Sequence, residues 1–335
     1  MECDGFIDLQ VNGFAGVDFN SPACQHQEIE RAIAAIFSTG VTRFFPTIIT
    51  GPPDDMLAAL RNLSAARSQV ANGHAMEAFH VEGPHISAED GPRGAHPREW
   101  VRPPDFEEFL RWQEAAEGRV GLVTLAPECP GATAYIERIT KAGAVAAIGH
   151  TRASPEQIHD AVLAGATLST HLGNGAGSAT RTEPFIMRQL SERRLSASLI
   201  VDRHHLPDDF LRRAIAAKTA EHIVLITDAV APAMCAPGPY VLGGVAVELH
   251  DDQRVTLRGG TRLAGSSLRM DHAIANVIAR AGVSLQEALM MAAANPARVG
   301  QVKRPADADR VRFDFVDGRV EVIETRFNGQ TVYSR

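Results

Sequence analysis

Five segments of this 335-residue chain end a short apolar run on a residue that can bind a cation or move a proton. His80-Val81-Glu82-Gly83-Pro84 closes on a carboxylate, and Gly149-His150-Thr151 and Thr170-His171-Leu172 each close on an imidazole. Val201-Asp202 leads into His204-His205, and Ile226-Thr227-Asp228-Ala229 closes on a further carboxylate. Such groups are costly to bury unless they pair or share a cation. Glu82, His150 and His171 supply one carboxylate and two imidazoles with a fourth position left for water, the donor set of a catalytic zinc site. One divalent metal ion, zinc by expectation, is therefore the predicted cofactor, and it would lower the pKa of a bound water toward neutrality. Asp228 lies outside the ligand set and is free to act as base and then acid. His96, in Arg93-Gly94-Ala95-His96, is suited to donate a hydrogen bond to a developing oxyanion. A lone strand-end histidine is ordinarily a hydrogen-bonded structural residue; the inference rests on the whole set. His80 shares the face of Glu82 but lies deeper and is expected to pack, and His85 has no assigned role.

These residues need a frame that brings strand ends together. Short apolar runs alternate with amphipathic stretches along the chain, the pattern of parallel strands joined by crossover helices. Eight strands are predicted: Phe6 to Val11, Thr42 to Ile49, Glu77 to Glu82, Val120 to Ala126, Ala144 to Gly149, Thr167 to Leu172, Leu195 to Val201 and His222 to Thr227. Helical patterns between them include Ile29 to Ser38, Met56 to Gln69, Thr133 to Lys141, Pro155 to Leu163 and Pro207 to Lys218, the fourth opened by Ser154 as N-cap. Eight such units predict a closed (β/α)₈ TIM barrel over residues 1–300, whose active face is the C-terminal end of its strands. A hairpin-rich excursion, Pro237 to Leu257, and two closing helices, Met270 to Ala281 and Leu285 to Ala294, follow the eighth strand. The tail, 301–335, carries strand patterns at Arg310 to Phe315, Arg319 to Ile323 and Thr331 to Ser334, with turns at Asp317-Gly318 and Asn328-Gly329, and predicts a small β appendage.

Composition narrows the setting. Hydrophobic residues make up 45% and charged residues 22%, which excludes a disordered chain or a coiled coil. No apolar run approaches a membrane span, and Met1-Glu2-Cys3-Asp4 is not a signal peptide, so a cytoplasmic protein without a membrane partner is expected. A net charge of −7 and the lack of a basic stripe argue against nucleic acid. Cys3, Cys24, Cys129 and Cys235 are scattered and are expected to stay reduced.

Several motifs, taken in order, resemble the N-acetylglucosamine-6-phosphate deacetylases of the amidohydrolase superfamily. They are Asp8-Leu9-Gln10-Val11-Asn12-Gly13, His80-Val81-Glu82-Gly83-Pro84, Gly94-Ala95-His96, Gly149-His150-Thr151 and Thr170-His171-Leu172 followed by Asn174. Thr227-Asp228-Ala229, Leu263-Ala264-Gly265-Ser266-Ser267 and Asn295-Pro296-Ala297-Arg298 complete the series. The resemblance implies the same ligand and acid–base roles and adds substrate-binding residues. Gln10, Ala95, Asn174 and Gly175 would touch the sugar, Leu263 would line the acetyl pocket, and His205 would approach the distal end. It also implies an N-acetyl amino sugar phosphate as ligand and a homodimer. Gln10 and Asn12 stand where many amidohydrolases hold a second metal with His-x-His, so one metal is expected.

Three departures bear on the substrate. The family's β segment before the first strand has no counterpart here, so the appendage is expected to be incomplete, with Val311, Phe313 and Phe315 seeking cover in a dimer. The family's phosphate-binding Arg-Glu-Pro becomes Thr182-Glu183-Pro184, preceded by Arg181, and its Asp-Gly-x-His becomes Asp202-Arg203-His204-His205. Arg181 or Arg203 is expected to recover the anion contact. The predicted function is metal-dependent hydrolysis of the acetamide of N-acetylglucosamine 6-phosphate. Deacylation of an unphosphorylated or other N-acyl substrate, and a catalytically silent sugar-binding barrel, stay open as alternatives.

Overall fold

The structure is a computed structural model that describes residues 1–174, 183–303 and 308–335. Strand β1 (Glu2–Asp4) belongs to a peripheral sheet. The next eight, β2 (Phe6–Val11), β3 (Val41–Ile49), β4 (Phe79–Glu82), β5 (Val120–Leu125), β6 (Val145–Ile148), β7 (Ala166–Ser169), β8 (Ser196–Ile200) and β9 (Ile223–Ile226), lie side by side in sequence order as one parallel sheet. Between them run α1 (His26–Phe37), α2 (Pro53–Gln69), α3 (Phe106–Ala115), α4 (Ala132–Lys141), α5 (Pro155–Leu163), α6 (Pro184–Ser191) and α7 (Asp208–Lys218). Each turns an apolar stripe inward; α1, for example, buries Ile29, Ile33, Ile36 and Phe37. The Ser154 hydroxyl caps α5 by accepting from the Gln157 N–H at 3.2 Å, with Pro155 in the first turn. Helices α3 and α6 belong to the eight expected units, although the sequence pattern gave them no range.

The eight expected strands are all present, but β6, β7 and β9 stop before the residues that could do chemistry. His150, His171 and Asp228 have φ of 50°, 30° and 51°, a left-handed backbone that cannot continue a strand. Extending those strands through Gly149, Leu172 and Thr227 was therefore an overestimate.

The two edges of the sheet, β2 and β9, meet and nearly close the barrel, without a regular ladder. Val11 bridges Ala229, the Asp228 N–H donates to Gln10 O at 3.0 Å, and the Asn12 N–H donates to Ala229 O at 2.7 Å. Deeper in the seam a side chain replaces the missing backbone partners. The Asp8 carboxylate accepts from the Thr227 N–H (3.2 Å), the Thr227 hydroxyl (2.5 Å) and the Gln10 N–H (3.2 Å). His80 lies inside the barrel, fully buried, its Nε2 2.7 Å from the Thr124 hydroxyl; burial lowers its pKa to about 4, so it packs as a neutral ring.

After β9, an antiparallel sheet of β10 (Gly238–Leu242), β11 (Val245–Leu249) and β12 (Val255–Leu257) forms the predicted excursion. Its Leu242, Val247 and Val255 share a small apolar cluster with Ile49 and Val230, which seats it beside the barrel mouth. Helices α8 (Met270–Ala281), α9 (Leu285–Ala292) and α10 (Ala294–Val299) complete the outer layer. The appendage is a four-stranded antiparallel sheet, ordered β1, β13 (Arg310–Val316), β14 (Arg319–Phe327), β15 (Gln330–Ser334). Residues 2–4 thus join the segment expected to stand alone at 301–335. The cover expected from a second copy for Val311 and Phe313 comes from the chain itself: both are fully buried, and the rings of Phe313 and Phe6 lie 6.5 Å apart. Arg43 ties appendage to barrel, bonding Asp309 and Glu77 at 2.5 Å and Asn328 at 3.0 Å. Among the described residues, no helix is long and apolar enough to cross a membrane.

The seam makes stability depend on pH. Burial pushes the Asp8 carboxyl from its ordinary 3.8 up to about 7, against the opposing hydrogen bonds from Thr227 and Gln10. A raised folded-state pKa means the unfolded chain loses its proton first, so this group's contribution is full below about pH 4 and falls away as pH rises to about 7. Asn at this position does not titrate, and can still accept from both N–H groups while donating to the Thr227 hydroxyl. Urea unfolding should therefore show Asp8→Asn gaining on the wild type between pH 4 and pH 7, by at most about 4 kcal/mol. A difference that does not change with pH would contradict the assignment.

Candidate active site

Glu82 ends β4, and the chain must turn sharply beyond it. Gly83 has φ of 77°, and a Cβ there would lie 2.2 Å from the Thr50 hydroxyl oxygen, so only glycine fits. The turn leaves the Glu82 carboxylate at the barrel mouth, where Oε1 lies 2.6 Å from His171 Nε2 and 3.1 Å from His150 Nε2. The candidate ligand atoms of the three residues all fall within 4.8 Å of one another, and the side chains are 4–9% exposed. His171 is held by its backbone N–H, which donates to the Ser198 hydroxyl at 2.8 Å.

The ring of His150 limits what can lie between it and Glu82. Its Nδ1 donates to Pro92 O at 2.8 Å, which in a neutral imidazole leaves the Nε2 lone pair facing Glu82 Oε1. Two acceptors face each other there, and either a proton or a cation must lie between them. Without a cation the group is an ion pair. Burial opposes the charge on Glu82, but the charges and hydrogen bonds of His171 and His150 prevail and hold its carboxyl well below the usual range. Burial likewise opposes the charge on His150, but its bond to Glu82 and that residue's charge raise its pKa. A mixed N and O donor set, oriented through the far ring nitrogen, fits a borderline divalent ion such as zinc.

Asp228 stands apart from this group. Its Oδ1 accepts from Asn12 Nδ2 at 2.7 Å and from Gln10 Nε2 at 3.1 Å. Burial, and next the charge on Glu82, push its pKa up to about 6, within the range where a carboxyl both takes and returns a proton near neutrality. His96 is fixed through Nδ1, 2.8 Å from the Thr50 hydroxyl, and its ring centroid is 4.4 Å from that of His150. Burial, and next the charge of His150, lower its pKa to about 3, so it is neutral; in the tautomer in which Thr50 donates to Nδ1, the ring proton is on Nε2.

A cavity of about 300 Å³ brings most of the predicted residues together. Glu82, His96, His150, His171 and Asp228 line it, and so do Ala95, Asn174, His205 and Leu263. Asp202 positions His205, accepting from its Nδ1 at 2.7 Å and from the His204 and His205 N–H groups at 2.9 Å. Gln10, expected to contact substrate, does not line the cavity and instead donates to Asp228. Arg203 is exposed and lines a neighbouring cavity beside Arg269 and Arg319, with His204 in the shared wall. Gly175 and Arg181 lie outside the described residues. His85, unassigned from sequence, is buried against the rings of Trp112 and Tyr135.

Sequence reasoning missed Asn12, His204 and Arg262 as cavity residues. Arg262 is the only Arg or Lys lining the cavity among the described residues, and its Nη1 donates to Gly94 O at 3.0 Å. Its position immediately before the Leu263-Ala264-Gly265 motif was the one available signal.

No family model matches the chain. It is 31% identical over 317 residues to an N-acetylglucosamine-6-phosphate deacetylase of Lysinibacillus sphaericus, covering 92% of this chain and 80% of that protein. An N-acetylgalactosamine-6-phosphate deacetylase of Escherichia coli O157:H7 is 32% identical over 299 residues, covering 89% and 77%. Among solved structures, an N-acetyl-D-glucosamine-6-phosphate deacetylase of Mycobacterium smegmatis, in complex with N-acetyl-D-glucosamine-6-phosphate, superposes with a TM-score of 0.90 at 30% identity, covering 99% of this chain and 87% of that one.

The geometry of Glu82, His150 and His171 gives a direct expectation in solution. Chelator-treated protein titrated with Zn²⁺ should take up one ion per chain, and Glu82→Gln or His171→Asn should weaken binding by roughly tenfold or more. Uptake of two ions, or unchanged affinity in both variants, would exclude this ligand set.

Proposed function

Because the chain belongs to the N-acetylglucosamine-6-phosphate deacetylase family and is a hydrolase of amide bonds, we propose that it deacetylates a 6-phosphorylated N-acetyl amino sugar, N-acetylglucosamine 6-phosphate first, giving the amine and acetate. The observation that carries this reading is a buried carboxyl, Asp228, sharing one cavity with a three-residue ligand group. Glu82, His150 and His171 would hold one divalent ion, zinc by donor chemistry. When bound, that ion supplies Lewis acidity toward the acyl oxygen and makes a water more acidic.

The chain's own residues do the rest. Asp228 takes a proton from the attacking water and gives it to the leaving nitrogen, and the donors on Oδ1 leave Oδ2 for that proton. His96, neutral and held by Thr50, donates from Nε2 to the oxygen that gains charge. Asn174 and the loop at Ala95 contact the sugar, and Leu263 packs on the acetyl methyl. His205, oriented by Asp202, faces the distal end, and Arg262, in the wall of the same cavity, offers a cation for the phosphate.

A second reading, an unphosphorylated N-acyl substrate, is favoured by Thr182 standing where the family carries its phosphate-binding Arg. Acetate release from N-acetylglucosamine and N-acetylgalactosamine, each with and without the 6-phosphate, separates the two and tests both epimers. The phosphorylated sugar should be preferred, and Arg262→Ala should raise its KM by roughly tenfold with little change in kcat, as lost uniform binding does. Equal specificity constants for phosphorylated and neutral sugars would move the protein to an uncharged substrate. Independently, Asp228→Asn should lower kcat by about 10²- to 10⁴-fold while metal content persists. Turnover near the wild-type rate would remove Asp228 from the proton path.

A further inference from the structure

One acceptor beside the Asp228 carboxyl has no partner among the described residues. Asn12 is 2% exposed and lines the cavity. Its Nδ2 donates to Asp228 Oδ1 at 2.7 Å and to Ala229 O at 3.4 Å, while its buried Oδ1 bonds to nothing among the described residues. The amide cannot simply be turned over, because its oxygen would then face a carboxylate oxygen at 2.7 Å. Nor can the residue move easily. Its backbone N–H donates to Ala229 O at 2.7 Å, and a Cβ on the following Gly13 would lie 2.3 Å from Val17 O. An unsatisfied buried acceptor costs about 1–3 kcal/mol, and this one belongs to a residue of the cavity wall, where a donor from outside the chain can offset that cost.

We propose that Asn12 Oδ1 accepts a hydrogen bond from the N–H of the scissile amide, which makes Asn12 a specificity-determining residue for secondary amides over esters. The inference rests on the deacetylase reading above. Under it, Asp228 returns its proton to the leaving nitrogen, so that nitrogen comes within hydrogen-bond reach of the carboxyl. Asn12 Nδ2 is already bonded to that carboxyl, and Oδ1 belongs to the same planar amide group. As the tetrahedral intermediate collapses, the C–N bond breaks and its electron pair stays on nitrogen. The proton held by Asp228 completes the amine, and the original N–H stays on the nitrogen, donating to Asn12 Oδ1 throughout. An ester places a lone-pair oxygen at that point, leaving Asn12 Oδ1 unpaired and facing another acceptor. Sites built around a buried polar group reject analogues that lack its partner more strongly than apolar pockets reject a change of size.

The test compares kcat/KM for acetate release from the 2-acetamido sugar 6-phosphate and from its 2-O-acetyl ester counterpart, using the metal-loaded protein. Asn12→Leu, close in shape, removes both polar halves of the side chain, and Asn12→Ala serves as a second removal variant should the first not fold. Losing the bond to Asp228 slows both substrates, whereas losing Oδ1 slows only the amide, so the amide-to-ester ratio should fall by roughly tenfold or more from the wild-type ratio. Asn12→Asp keeps an acceptor and loses the donor, so both rates should fall while the ratio stays within about threefold of wild type. Equal losses on both substrates in the removal variants, or collapse of the ratio in Asn12→Asp, would overturn the inference while leaving the deacetylase reading intact. Absence of amide hydrolysis by the wild type would overturn that reading and this inference with it.

Discussion

A buried carboxylate oxygen with two imidazole nitrogens within 3.1 Å is the interaction on which the barrel mouth depends. Ionised groups this deeply buried destabilise a fold unless their charges are balanced nearby, and at this mouth the balance is made by convergence of residues from three strand ends. The convergence has a structural cost. His150 and His171 both sit in left-handed backbone, which L-residues adopt only when surrounding contacts impose it. Those contacts are specific: Pro92 O holds the far nitrogen of His150, and the Ser198 hydroxyl holds the backbone of His171. Charge balance at the centre and strain at its edges are thus two sides of one arrangement.

The seam of the barrel serves the same centre. β2 and β9 pair poorly, and the bonds that cross between them run from Asp8, Gln10 and Asn12 on one side to residues 227–229 on the other. Asp228 lies in that seam, so the strand that closes the barrel also orients its carboxyl. In a site for two metals the positions of Gln10 and Asn12 would carry ligands. Here their amides occupy one oxygen of Asp228, which fixes that side chain without adding charge to a cavity that already holds Glu82.

Much of this was legible in the sequence because strand-sized apolar runs, each ending in an ionisable residue, are a strong pattern. The eight strands and the grouping of Glu82, His150, His171 and Asp228 in one cavity follow from it. What escaped is what lacks periodicity. The three residues of β1 are too few to show alternation, and they find their partner in Arg310 to Arg312, at the far end of the chain. Positive φ at His150, His171 and Asp228 leaves no mark on composition, so the strands seemed longer than they are. Arg262 is an exposed residue in an irregular segment just after the excursion, and only the fold brings it to the cavity. Gln10 and Asn12 signalled that a second metal was missing; that they hold Asp228 instead depends on a contact 216 or more residues away in sequence.

If the three strand ends share one cation, anomalous diffraction at the zinc edge will show it in crystals of the protein reconstituted with Zn²⁺. A single peak per chain is expected at roughly 2.0–2.2 Å from Glu82, His150 Nε2 and His171 Nε2, with Asp228 outside the bonded set. A pair of peaks about 4 Å apart, or no peak with the Glu82 contacts to both histidines unchanged, would contradict it.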